Sequence, residues 1–592
     1  MNNSSENFFD TKVLGHPAGL FVLFFTEMWE RFSFYGMRVL LVNFLTMAVV
    51  GVDFPGWGWS SANAGALFGT YAGLLYITPI AGGLLADKLI GYRWAVVIGA
   101  FIMTLGHASM AFETELSLYI GLALLVIGTG FFKPNMTSII SEMYKGHENK
   151  KDGAYTIFYM GVNAGAFFGM MLCGWLAERY GWSYGFGLAG VFMLLGTAQF
   201  WLAKPLFGEV GGVPKKDDID NNSNSELKEI EQSAKRNPFT SIDKVLIIVS
   251  TVIAFAYIFN DPISKIGGVN FLTWASIPDV LSGEYVVILS GLVVFLYLII
   301  TRLIRYEAVV RDRLIAFIVF AFFTVFFWMC FEQGATSLVL FARDFTQRTL
   351  EGNAANTFLV VNALLTIIPL AFITYVLVVL FKKTRDRILS SNIILFVCFS
   401  LMWVIVGFML YKDWTAETTE ITVSWFSILN SFFIIVFASM FTKIWDNNPN
   451  FPASYKYGLS LIIMAIGFGL LAYGSLPIEK GAAAGSVRVS MIWLILAYLF
   501  HTLGELCGSP VGLSYVSKLV PARMIAFMFG MWYLAIAIGN KLAATLGGKI
   551  EEFTQNYSLS QFFLIFTIIP IVSGILIFAL HPLLKKLMHG VR

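Results

Sequence analysis

Sixteen apolar stretches, most of them twenty residues or longer, follow one another along this chain with only short polar breaks between them. A helix needs about 20 apolar residues to cross the hydrocarbon core of a bilayer, and no water-facing surface can be built from segments of this kind. Of the 592 residues 57% are hydrophobic and only 13% charged, against roughly 25% charged in soluble domains. The chain therefore reads as an all-α integral membrane protein. The stretches fall near 19–48, 63–90, 92–111, 115–143, 151–176, 182–207, 244–260, 284–306, 310–343, 356–381, 390–411, 422–445, 456–474, 488–518, 522–547 and 560–586. A polar linker, 208–243, contains KKDDIDNNSNSELKEIEQSAKR and separates the sixth from the seventh.

Lys and Arg accumulate in cytoplasmic loops. With the N-terminus placed inside, the inner segments carry 28 basic residues and the outer ones 8, while the remaining four of the 40, Arg31, Arg38, Lys133 and Lys541, lie within helices. The alternation fits an even number of spans with both ends in the cytoplasm of a multi-pass cell-membrane protein. Residues 1–18 lack the pattern of a cleaved signal peptide, so the first helix is expected to direct insertion. No basic face suited to nucleic acid appears. Cys173, Cys330, Cys398 and Cys507 lie scattered in apolar segments and form no CxxC, which points to buried thiols rather than disulfides or a metal site.

Ionisable groups inside a membrane are costly, about 2.5–3.5 kcal/mol each even on insertion scales, and mark functional candidates. Glu27, Glu30, Arg31, Tyr35 and Arg38 share one face of the first helix. The bland alternative is an ion-pair lattice that only fixes packing. Lys133 sits beside Pro134 in GTGFFKPNMTS and is expected either to find a carboxylate partner or to lose its proton; Glu332 in FWMCFEQGATS and Glu505 in HTLGELCGSPVGLS stand alone in apolar helices. Within this candidate set, four glutamates (Glu27, Glu30, Glu332 and Glu505) against three cations (Arg31, Arg38 and Lys133) leave one acid over. That imbalance suits a site where one carboxylate is alternately protonated and paired, coupling protons to the movement of a charged solute.

The run EMWERFSFYGMR, 27–38, resembles the ExxERFxYYG signature of the proton-dependent oligopeptide transporters, a branch of the major facilitator superfamily. Further matches follow in family order: TYAGLLYITPIAGGLLADKLIGYR (70–93), GTGFFKPN (128–135), YTIFYMGVNAGAFFG (155–169), FWMCFEQ (327–333), GELCGSPVGLS (504–514) and MWYLAIAIGN (531–540). The resemblance implies two six-helix bundles, 19–207 and 310–592, that rock about a central site. A helix pair at 244–309 is common in bacterial members, whereas a second apolar pair, inserted at about 356–411, departs from what the resemblance predicts. It also implies import of di- and tripeptides with protons as the coupling ion, no cofactor, and only peptides, protons and membrane lipids as partners.

Carried over by position, Glu27, Glu30, Arg31, Lys133, Glu332 and Glu505 are the proton-coupling set. Substrate contacts are Arg38, Tyr35, Tyr71, Lys133, Asn163, Trp328, Asn430, Glu505 and Trp532, with Glu505 meeting the peptide amine and Arg38 and Lys133 its carboxylate. Phe34 departs from the family tyrosine, and Gly69 stands where animal members carry a histidine. Asn362 in FLVVNALL rivals Asn430 for its place. A member of the same family carrying nitrate or a peptide-like compound is the alternative, against which Glu505 argues because an acid would repel a simple anion. An enzyme is not expected: no HExxH and no GxxxxGK[ST] occurs, and His501 with Glu505 offers a metal only two ligands. A channel would more often show repeated polar rings.

Overall fold

The computed structural model describes residues 11–147, 150–213, 237–448, 450–520 and 524–590; most of the polar linker and the first ten residues of the tail lie outside them. The long helices are α1 (Ala18–Thr46), α2 (Ser61–Leu85), α3 (Tyr92–Met110), α4 (Glu115–Met143), α5 (Lys151–Tyr180) and α6 (Trp182–Leu202). After the linker come α7 (Ser241–Gly267), α8 (Gly283–Ile304), α9 (Ala308–Phe331), α10 (Gly352–Thr415), α11 (Val423–Asn447), α12 (Ala453–Gly474), α13 (Ile492–Leu519), α14 (Ile525–Gly547) and α15 (Leu559–Ala579). Among the described residues thirteen helices are long and apolar enough to cross a membrane. One of these, α10, breaks at Ile388 (φ −135°, ψ 45°) into two arms. Counting both arms, and adding α1 and α13, gives the sixteen spans that the apolar runs predict.

Helices α1–α6 form one bundle, and α9 with α11–α15 the other. Within the first, α1 presses on α5 so closely that a Cβ added at Gly165 would lie 2.2 Å from the Met28 carbonyl oxygen, and one at Gly169 2.2 Å from that of Phe32. Small residues at such crossings are what lets membrane helices approach each other. The even number of spans puts both termini on one side, here the near face. His16 bonds Tyr144 at the end of α4, and His589 bonds Asp312 at the start of α9.

The two bundles are joined at midplane and toward the far face. Arg343 donates to Thr46 Oγ1 (2.8 Å), Ser61 Oγ to the Gly548 carbonyl (2.8 Å), and the Val423 and Ser424 amides to Glu178 (2.9 and 3.1 Å). These contacts tie the two bundles together on the far side.

The helix pair α7–α8 is tied to both bundles. Lys541 of α14, 8% exposed, pairs with Asp261 of α7 and donates to Thr70 Oγ1 of α2 (3.1 Å), which in turn donates to the Ile258 carbonyl of α7 (3.0 Å). Breaking a buried pair from one side leaves an uncompensated charge, costing about 3–5 kcal/mol. Asp261→Asn is thus expected to lower the melting temperature of the detergent-solubilised protein by several degrees. The double variant Asp261→Asn/Lys541→Gln should recover part of that loss, and two additive decrements in thermal melts would show that the ion pair carries no such stability.

The second pair, α10, is an antiparallel hairpin: Trp403 Nε1 donates to Thr374 Oγ1 (3.1 Å) and Asn392 Nδ2 to Thr384 Oγ1 (3.0 Å). Although the chain inserts it in the second half, it leans on the first. Phe399 stacks edge-on to Trp29 and Phe25 (centroids 5.5 and 5.6 Å), and Ser391 Oγ donates to the Gln199 carbonyl (2.8 Å). Its link to the second bundle is Trp425 Nε1 donating to Asn362 Oδ1 (3.2 Å). The opposite face, with Ile368, Phe372 and Val404, is exposed and apolar, as a lipid-facing surface would be.

Candidate functional site

Helix α1 carries its charges into the core of the first bundle. Glu27, Glu30 and Arg31 are all buried. Arg31 Nε donates to Glu27 Oε1 at 2.9 Å, whereas its contact with Glu30 Oε2, at 2.6 Å, is an ion pair without hydrogen-bond alignment. Neither Glu30 oxygen has a hydrogen-bond donor among the described residues. Glu30 is therefore the less committed of the two acids. The Arg31 guanidinium also lies over the Phe34 ring, 5.3 Å from its centroid. At this position a phenyl face serves the cation without a hydroxyl.

Two turns farther along α1 from Arg31, Arg38 pairs with Glu332 of the second bundle and rests against the rings of Tyr35 and Phe68, both centroids at 5.8 Å. Glu332 is held at a break. The apolar run 310–343 predicts an unbroken helix, but α9 ends at Phe331, a tighter turn runs Glu332–Ala335, and Thr336 leaves helical geometry (φ −130°, ψ −96°). Gln333 makes the break tolerable in a membrane by donating to the Met329 and Ala543 carbonyls (3.2 and 3.0 Å) and accepting from Ser337 (2.5 Å). Tight turns of this kind inside a helix often mark functional hinges.

Lys133 does not find the carboxylate partner that its position in the membrane predicts. Among the described residues it makes no ion pair, and its ammonium stands 4.5 Å from the Tyr76 ring centroid, near enough to Glu27 and Glu30 for Coulomb attraction. Lys133 instead lines a cavity between the bundles. On the other bundle Glu505 accepts from Asn430 Nδ2 at 3.0 Å, and the same amide donates to Thr502 Oγ1 (3.0 Å). No cation is paired with Glu505 among the described residues.

These groups meet at a cavity of about 590 Å³ between the bundles, within the size range of small-molecule sites. Its wall contains Arg38, Tyr35, Lys133, Asn163, Trp328, Glu332, Asn430, Glu505 and Trp532. Tyr76, Lys133, Tyr159, Trp532 and Tyr533 carry it toward the near face. The arrangement offers an unpaired ammonium on one wall, an unpaired carboxylate on the other, and aromatic surface between them. Among the described residues no three potential metal ligands cluster.

The profile of the POT family matches residues 93–411 and 388–564. This chain belongs to the POT family. It is 30% identical to a peptide transporter of Yersinia enterocolitica over 97% of this chain and 96% of the relative, and 27% identical to a di-/tripeptide transporter of Lactococcus lactis over 100% and 99%. A crystal structure of a peptide transporter of the family in complex with sulfate superposes with a TM-score of 0.69, at 27% identity, over 100% of both chains. The fold is the major facilitator fold with two additional helix pairs.

Within the POT family frame, eight of the nine substrate-contact assignments stand on the cavity wall. Tyr71 does not: it is 3% exposed on α2, its hydroxyl unpartnered, and it packs beside Phe68 behind the wall. Glu27, Glu30 and Arg31 also lie off the wall, in the core of the bundle. The rivalry between the two asparagines resolves by position, since Asn430 bonds Glu505 whereas Asn362 serves the α10 hairpin. Several wall residues escaped the sequence reading, among them Tyr159, Tyr498 and Ser427, and His501 was weighed there only as a metal ligand. Spacing holds the signal for three: Tyr498 and His501 fall seven and four residues before Glu505, and Tyr159 four before Asn163, each pair on one helical face.

Proposed function

We propose that this protein is a proton-coupled symporter that imports di- and tripeptides across the cell membrane by alternating access, with both termini cytoplasmic. The observation that carries this reading is the polarity of the cavity. A short peptide is a zwitterion, and the wall presents an unpaired carboxylate, Glu505, across from an unpaired cation, Lys133, with Arg38 beside it. A simple anion such as nitrate would be repelled by Glu505 and disfavours that alternative. The aromatic lining tolerates varied side chains because rings give broad apolar contact with one polar handle. The names of the relatives, peptide transporter and di-/tripeptide transporter, support the same substrate class.

The excess of Lys and Arg in the near-face loops supports a cytoplasmic near face, and with the bundles tied together on the far side this conformation reads as inward-facing. Protons enter as the coupling ion through Glu27, Glu30, Arg31, Lys133, Glu332 and Glu505, and no cofactor is required. The domain scheme follows: a tail, two rocking bundles, the linker, and two hairpins outside the rocking core.

Uptake of labelled dialanine into proteoliposomes, with and without an inward proton gradient, tests the reading. Accumulation above equilibrium is expected only with the gradient. Glu505→Gln removes a charge-assisted hydrogen bond to the amine, worth about 1.5–3 kcal/mol, and should raise KM roughly tenfold to a hundredfold. Absence of any short-peptide uptake by the reconstituted native protein would overturn the substrate assignment.

A further inference from the structure

His501 stands on the cavity wall, yet nothing in the coupling or binding scheme uses it. Its ring is 2% exposed, and Nε2 has no hydrogen-bond partner. The ring is fixed against Phe468, with centroids 4.3 Å apart, and against Gly467, where an added Cβ would come within 3.0 Å of His501 Cδ2. It shares one face of α13 with Tyr498 and Glu505, all three on the cavity wall. A buried nitrogen without a partner is costly and uncommon. A rigidly seated ring with a free nitrogen beside a binding cavity is suited to a polar group that arrives with the ligand.

We propose that His501 is a specificity residue that hydrogen-bonds the side chain of the peptide's amino-terminal residue. This rests on the reading of Glu505 as the amine site. With the amine at Glu505, the peptide main chain must cross the cavity to reach Lys133 on the opposite bundle. What extends along α13 from the amine is then the first side chain. His501 lies four residues from Glu505, about 6 Å along the helix axis, within reach of a short polar side chain but off the path of the main chain. Imidazole both donates and accepts, so it serves hydroxyl and carboxamide side chains alike. Peptides that begin with Ser or Asn are therefore favoured over apolar isosteres.

The test compares Ser-Ala with 2-aminobutyryl-Ala, which replaces the hydroxyl by a methyl, and uses Ala-Ala as reference, in binding and uptake by the full-length protein. The native chain should prefer Ser-Ala over the isostere by about fivefold to tenfold. His501→Phe keeps the ring stacked on Phe468 but removes the nitrogens; it should abolish that preference through KM while leaving Ala-Ala within about twofold of the native value. His501→Gln, which retains a donor and an acceptor, should keep part of the preference. If the Phe variant does not fold, His501→Leu takes its place, with matched thermal transitions as the criterion. Equal weakening of all three peptides, or no preference in the native chain, overturns the proposal. If Glu505→Gln weakens Ala-Ala binding while His501→Phe leaves the preference intact, the amine site stands and His501 falls. Should Glu505→Gln leave Ala-Ala binding unchanged, the amine site and this proposal fall together.

Discussion

Glu30→Gln is expected to abolish proton-driven accumulation of peptide while leaving peptide exchange across the membrane in place. Glu27 is secured by the aligned hydrogen bond from Arg31 Nε, whereas Glu30 has only a misaligned ion pair with the same atom and no other donor among the described residues. Of the two acids, Glu30 can take up a proton while Glu27 continues to hold the cation. Glutamine imitates the protonated form permanently. The cycle can then no longer distinguish proton-loaded from proton-free states, and a ligand with no differential interaction with two states shifts nothing. A one-unit pH step supplies about 1.36 kcal/mol per proton, or about tenfold in accumulation, and the variant should show none of it. The check is paired: concentrative uptake under an imposed gradient, and counterflow between equal internal and external peptide pools without one. Loss of both would place Glu30 in substrate binding or folding instead, and retained accumulation would remove it from coupling.

Much of the fold was legible because a membrane removes ambiguity. Backbone groups in hydrocarbon must bond within their own helix, so length and apolarity nearly settle each span. Even the α10 hairpin appears in the sequence as two apolar runs flanking KKTRDR. What the sequence could not convey was where that hairpin packs. Its apolar faces are compositionally alike, and the choice of Trp29 and Gln199 as neighbours is a matter of shape. The break in α9 was hidden for a related reason. The polar residues of FEQGATS read as site candidates inside a continuous helix, not as its end, and Gln333 with its distant partner, the Ala543 carbonyl, helps to hold the break.

At the site, charges were conspicuous because they are costly in a membrane, and so Glu505, Lys133 and Arg38 could be singled out. Aromatic residues were not, since tyrosine is ordinary in an apolar helix. Tyr71 was assigned to the cavity only through the family resemblance, and Tyr159 was overlooked because nothing in its own segment sets it apart. Charge alone also misjudged the needs of Lys133. The balance of signs along the chain predicts a carboxylate contact, but a cation at a cavity can be satisfied by a ring face, water or substrate.

The Arg38–Glu332 pair is the one buried ion pair between residues of opposite bundle walls that the cavity itself contains among the described residues, and breaking it should alter which face is open. Glu332→Gln leaves the Arg38 charge, 17% exposed at its side chain, opposite a neutral amide. Losing one partner of a buried pair costs about 3–5 kcal/mol, and that penalty falls on the far-side-closed state, in which the two walls meet. A shift of even 1.4 kcal/mol changes the ratio of open to closed by about tenfold. Spin labels at Val50 and Ser486, both exposed on far-face loops of opposite bundles, report that ratio through their distance distribution, with the four native cysteines buried. Glu332→Gln should populate a longer distance that is minor in the native protein, and Arg38→Gln/Glu332→Gln should reverse much of the change because no unpaired charge remains. Uptake separates closure from binding: it should stay low in the double variant, since the proposed binding scheme also gives Arg38 the peptide carboxylate. An unchanged distance distribution in Glu332→Gln would mean that Arg343, Ser61 and Glu178 hold the far side shut without this pair.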